Sequence, residues 1–112
     1  MIWIIDFRGD LSESSQLNMN GSTAMRAVSI VHGIDVAAAL TNLLIHTKKH
    51  GITLNRINRC LDLSIFTPTD DVGYTSKEIT SALKELTPES PVIFSYAISS
   101  EAEDDEAIAI NG

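Results

Sequence analysis

An α/β or α+β fold is what this sequence predicts: a small mixed β-sheet with two to three helices packed on it and a C-terminal β-hairpin. Three stretches carry that expectation. The chain opens on Ile2-Trp3-Ile4-Ile5, apolar on both alternating faces, as in a strand buried inside a sheet. Ile79, Ala82, Leu83 and Leu86 fall on one helical stripe behind Ser76, a capping residue, and Glu78, an acid suited to a first helical turn. After Pro88 and Pro91 have ended that helix, Val92, Phe94, Tyr96 and Ile98 alternate with Ile93, Ser95, Ala97 and Ser99 as a strand.

The remaining elements follow in chain order. Residues 1–8 form the first strand, and Gly9 to Gly21, rich in Ser and Asn and closing on Asn20-Gly21, reads as a loop. Ala24 to His32 fits two patterns. Ala24, Val28 and Val31 suit a helical face, Arg26, Val28 and Ile30 a strand, and the helical reading is preferred with Ser22 or Thr23 as its cap. Asp35 caps a further helix from Val36, with Leu40, Leu43 and Leu44 on one face, Lys48, Lys49 and His50 on the last turn, and Gly51 as a left-handed stop. Leu54, Ile57 and Leu61 then fit a helix, whereas Leu61, Leu63 and Ile65 fit a strand. The expectation is an irregular or short helical segment through Arg59 and a strand over 60–66, ended by Thr67-Pro68. Thr67 to Tyr74 reads as a polar turn. Beyond Ser99 the acidic run makes a hairpin turn to a last strand, 107–110, so the sheet comprises residues 1–8, 60–66, 91–99 and 107–110.

A length of 112 residues, 44% of them hydrophobic, fits one domain over 1–112, and an aromatic share of 5% leaves Ile, Leu, Val and Ala to build its core. The single cysteine, Cys60, can form no internal disulfide and reads as a small apolar group facing the core, which suits a reducing, cytoplasmic setting. Met1 to Asp6 lacks the basic start and long apolar stretch of a signal peptide. The apolar-rich Ile34 to Ile45 is interrupted by Asp35, Thr41 and Asn42 and falls short of the roughly 20 residues a membrane span needs. A net charge of −7 disfavours indiscriminate attachment to nucleic acid or anionic membranes. That charge is unevenly spread: Val36 to Leu61 holds no carboxylate, while Glu101, Glu103, Asp104, Asp105 and Glu106 lie within six positions.

No pattern of nucleophile and base appears, nor a phosphate-cradling glycine loop, so no enzyme, cofactor or metal is expected. His46 and His50 share a helical side, but Lys48 and Lys49 separate them and no further ligand completes a set. Asp6, placed near the carboxyl end of the first strand with Asp10 close by, is the position from which a magnesium-dependent reading would start. The preferred function is a small acidic protein-binding module, an inhibitor or immunity-like factor that neutralises a basic protein target. Its partner surface is formed by Asp70, Asp71, Glu101, Glu103, Asp104, Asp105 and Glu106, with Tyr74 or Tyr96 as an aromatic anchor. The alternative is a winged-helix-like nucleic-acid-binding regulator using Lys48, Lys49, Arg56, Arg59 and Lys77 on phosphates. That reading requires Thr53 to Ser64 to be helical.

Overall fold

The computed structural model describes residues 1–12 and 24–99. Four strands, β1 (Ile2–Leu11), β2 (Ala24–His32), β3 (Ile52–Asp62) and β4 (Val92–Ser99), form one sheet in the order β3-β1-β2-β4. Every neighbouring pair is antiparallel, so the fold is α+β and the expected mixed sheet is corrected. Two helices, α1 (Val36–Lys49) and α2 (Ser76–Glu85), lie on opposite faces, and a 3-10 turn spans Leu63–Ile65. The turn and final strand expected after Ser99 lie outside the described residues.

The core is two layers of side chains, one on each side of the sheet. Ile5, Phe7, Met25, Ala27, Val31 and Val92 meet Ala39 and Leu43 of α1 on one side. Ile4, Val28 and Ile30 meet Tyr74 with Ile79 and Ala82 of α2 on the other. The second layer holds fewer residues, and this asymmetry determines where the site lies.

Helix α1 begins as the sequence indicates. Asp35 accepts a 2.8 Å hydrogen bond from the Ala38 amide, and Gly51, at φ 72°, follows the end of α1. At α2 the cap moves one residue. Thr75, not Ser76, accepts from the Glu78 amide, while the Glu78 carboxylate accepts from the Thr75 hydroxyl and the Gly73 amide, giving a reciprocal N-terminal lock. The Thr75 hydroxyl bond leads in holding the Glu78 carboxyl below its ordinary value.

The strands required more correction. Gly9, Asp10 and Leu11 belong to β1 rather than to a loop. Ala24 to His32 is a strand, not a helix. It sits between β1 and β4 with a helix on each face, so nearly all of it is buried and no alternation marks it. Ile52 to Arg59, expected to be irregular or helical, is most of β3, and residues 63–66, expected in a strand, lie beyond its end. Two bulges caused that misreading. The pairing of β1 with β3 shifts once between Asp6 and Phe7 and again between Arg8 and Gly9, so Asn58 and Asn55 are each an extra residue in β3. Each bulge lengthens the two-residue repeat to three, putting Leu54, Ile57 and Cys60 opposite Gly9, Phe7 and Ile5 on the α1 side with the spacing of a helix. A third bulge, at Ser95, moves β4 out of phase: Val92 and Phe94 face α1, and Tyr96 faces α2.

Candidate functional site: the arginine end of the sheet

On the α2 side, β1 presents Ile2, Ile4, Asp6, Arg8 and Asp10 in turn, because side chains two apart share a face. The apolar members meet α2 and its approach, and the polar members continue past the helix. At that end of the sheet all four arginines of the chain come together. Arg8 pairs with Arg56 on one side and with Arg26 on the other, so three guanidinium groups stand in one row across β3, β1 and β2. Neighbouring strands are about 4.8 Å apart, which gives the row a width of roughly 10 Å. Arg59 pairs with Asp6 in the adjoining row, and its guanidinium carbon lies 5.4 Å from the centre of the Tyr74 ring. Arg8, Arg56 and Arg59 are exposed and Arg26 is half-buried.

Asp6 anchors this end. The residue is 2% exposed, and its carboxylate accepts from Arg26 Nη2 at 2.7 Å and Nε at 3.2 Å, from the Tyr74 hydroxyl at 2.5 Å, and from Asn58 Nδ2 at 3.2 Å. Burial pushes the carboxyl up, but the hydrogen bonds from Arg26, Tyr74 and Asn58 outweigh it and hold Asp6 below its ordinary value. The bulged Asn58 thus has a local use, and the bulged Asn55 repeats it by reaching Asp10 at 3.4 Å. Asp6 lies in the middle of β1, not near its carboxyl end, and its oxygens already accept from three side chains. The magnesium reading built on that position loses its premise.

Tyr74 is 3% exposed, so it is a core residue and not the surface anchor expected of it. Burial raises its hydroxyl, the bond to Asp6 raises it further, and Arg59 opposes them, for a result of about 12. A folded value above the unfolded one stabilises the protein at pH values below about 10, and that contribution disappears as pH rises through 12. Tyr74→Phe removes the donor to Asp6 and should cost about 1–2 kcal/mol at neutral pH. It should also flatten the fall in urea midpoint between pH 10 and 12; an unchanged alkaline limb would show that Tyr74 does not set it.

The other residues singled out by the sequence do not join this end. Lys48 and Lys49 lie in the last turn of α1, across the sheet, and Lys77 lies in the first turn of α2; of that set only Arg56 and Arg59 meet. Asp70 and Asp71 are exposed in the loop before Tyr74, and Glu101, Glu103, Asp104, Asp105 and Glu106 lie outside the described residues. Thr53 to Asp62 is strand, so the helix order required for a winged helix does not form. His46 and His50 do sit together, with ring centres 4.5 Å apart, and burial, followed by the charges of His50 and Lys49, lowers His46. Cys60 is half-buried against the α1-side core, and burial raises its thiol. Among the described residues no group of three or more His, Cys, Asp or Glu side chains is placed to hold a metal, and no helix is long and apolar enough to cross a membrane.

Arg8 and Arg26 were missed as site residues because Arg8 stands 18 positions from Arg26 and 48 from Arg56 along the chain, and the three meet only through strand pairing. The signal that was present is the repeated Asn-Arg at 55–56 and 58–59. No protein-family model matches the chain, and neither a curated protein nor a solved structure matches it.

Proposed function

We propose that the chain is a non-enzymatic binding module that holds the phosphate backbone of nucleic acid on the arginine end of its sheet. One observation carries the reading: all four arginines share one end of one face, three of them in a cross-strand row. The three guanidinium groups of the row stand on directly paired strands, so they present their positive charge along one line. Guanidinium is also the side-chain group that grips phosphate through two parallel hydrogen bonds. Tyr74, buried beside Arg59, gives no platform on which a base could stack, so the grip is on phosphates and carries little sequence preference.

The net charge of −7 works against attachment to a polyanion in general, so the reading rests on the local concentration of the four arginines at one end of one face. Affinity for a short duplex should fall with salt, with a log–log slope of about −3 if three to four phosphates are neutralised. Arg56→Ala with Arg59→Ala should lower that slope by about 2. A slope unchanged by the double substitution would remove these arginines from the contact.

The density of carboxylates between Glu101 and Glu106 favours a second reading, the acidic inhibitor of a basic protein, with Asp70 and Asp71 extending the surface. It calls for a nuclease-resistant basic partner whose capture is lost on reversing the charges of that run. Recovery of salt-sensitive nucleic acid alone would decide against it.

A further inference from the structure

We infer that two copies of the chain associate through the outward face of α1, with the two helices antiparallel about a two-fold axis beside Thr41. The inference stands apart from the phosphate reading, because α1 covers the opposite face of the sheet from the arginine end. Its first support is composition. A solvated helix carries charge on its outer face, as α2 does with Lys77, Lys84 and Glu85 exposed beside Ser76, Thr80 and Ser81. In α1 no Asp, Glu, Lys or Arg occurs from Val36 to Thr47, and its exposed side includes Val36, Ala37, Thr41, Leu44 and Ile45, the last two 49% and 63% exposed. Thr41 adds little polarity. Its hydroxyl donates back to the Ala37 carbonyl at 3.0 Å, so covering it leaves no donor unpaired.

Charge and shape identify the occupant. Charge returns only at the two ends of this face, as exposed Asp35 at the start and exposed Lys48 and Lys49 in the last turn. Within one chain Asp35 and Lys48 are 13 positions apart, about 20 Å along the helix, too far to pair. An antiparallel second copy sets each Asp35 near Lys48 of the other and aligns the two helix dipoles favourably. The same arrangement brings the small Ala37 level with the large Ile45, twice by symmetry, so the helices can approach closely. A helix of 14 residues is about 21 Å long, which makes the contact a small one and sets its dissociation constant in the range of tens of micromolar.

Sedimentation equilibrium of the full chain, from about 5 to about 500 µM at about 0.1 M salt, tests the pairing. The wild type should pass from monomer to dimer with a midpoint of about 50 µM. Ile45→Lys should raise that midpoint at least about 30-fold, while Thr80→Lys, the corresponding change on the outer side of α2, should leave it within about twofold. Lys48→Glu should weaken pairing about 10-fold by setting like charges together, and adding Asp35→Asn, which keeps the helix cap, should recover about threefold of that loss. Circular dichroism at about 5 µM, below the midpoint, should show the same helix content for every variant. A chain still monomeric at about 500 µM would overturn the inference, and flotation of that monomer with phosphatidylcholine vesicles, abolished by Ile45→Lys, would assign the face to a membrane surface instead. A dimer indifferent to Ile45→Lys uses another surface, and one in which Asp35→Asn does not offset Lys48→Glu is not antiparallel; either result would overturn the inference too.

Discussion

Asp6→Ala should lower stability by about 3 kcal/mol, a fall in the thermal midpoint on the order of 10 °C, and should do so without touching either helix. The carboxylate is the shared acceptor of Arg26, Tyr74 and Asn58. Its loss affects these donors unequally. Arg26, with 30% of its side chain exposed, and Asn58, exposed on β3, can turn to water, which discounts their part. The Tyr74 hydroxyl is buried and cannot, so most of the cost falls there. The same reasoning predicts strong coupling: Asp6→Ala added to Tyr74→Phe should cost at least 1 kcal/mol less than the sum of the single changes, measured by urea unfolding. Additive effects would mean that the 2.5 Å contact contributes little.

Acid titration should report the same group. Asp6 is held below its ordinary value, so its contribution is complete above the unfolded carboxyl value near pH 4 and is lost as pH falls through the lower folded value. Wild-type stability should therefore decline below pH 4 more steeply than that of Asp6→Ala.

How much of this was legible in the sequence follows from burial and strand pairing. α1 and α2 were readable because each has one covered face and a capping side chain, so period and punctuation agree. β2 was not, since a strand covered on both sides has no polar alternate positions and Val28, Ile30 and Val31 fit either template. β3 imitated a helix because its two bulges respaced the apolar residues, and the same bulges brought Arg56 and Arg59, three apart in sequence, to one face. The site was hidden for a further reason. Lys48 and Lys49 stand together in the sequence and drew attention to a helix end, whereas Arg8, Arg26 and Arg56 become neighbours only through the pairing of three strands. Charge runs reveal local patches; a patch assembled across a sheet has no local signature.

Gly73→Ala should be nearly as costly as the loss of Asp6, about 2–4 kcal/mol, although it adds a single methyl group to a surface loop. Gly73 has φ 89°, a region that L side chains enter only with strain. A Cβ there would stand 2.7 Å from Val28 Cγ2 and 3.1 Å from Tyr96 Cβ. Val28 is completely buried between β1 and β4 and has no room to retreat. The loop is also held in place. The Gly73 amide donates to Glu78, its carbonyl lies 2.9 Å from the Ser95 hydroxyl, and the next residue is Tyr74, so lifting this backbone withdraws the phenol from Asp6. Two readouts separate the causes. Val28→Ala in the Gly73→Ala background should recover the steric part, more than 1 kcal/mol relative to additivity, and leave the backbone cost. The Tyr74 hydroxyl, held at about 12 in the native protein, should titrate closer to 10 in folded Gly73→Ala. A Tyr74 titration that stays at its native value would show that the loop absorbs the methyl group and that Asp6 keeps its partner by another route.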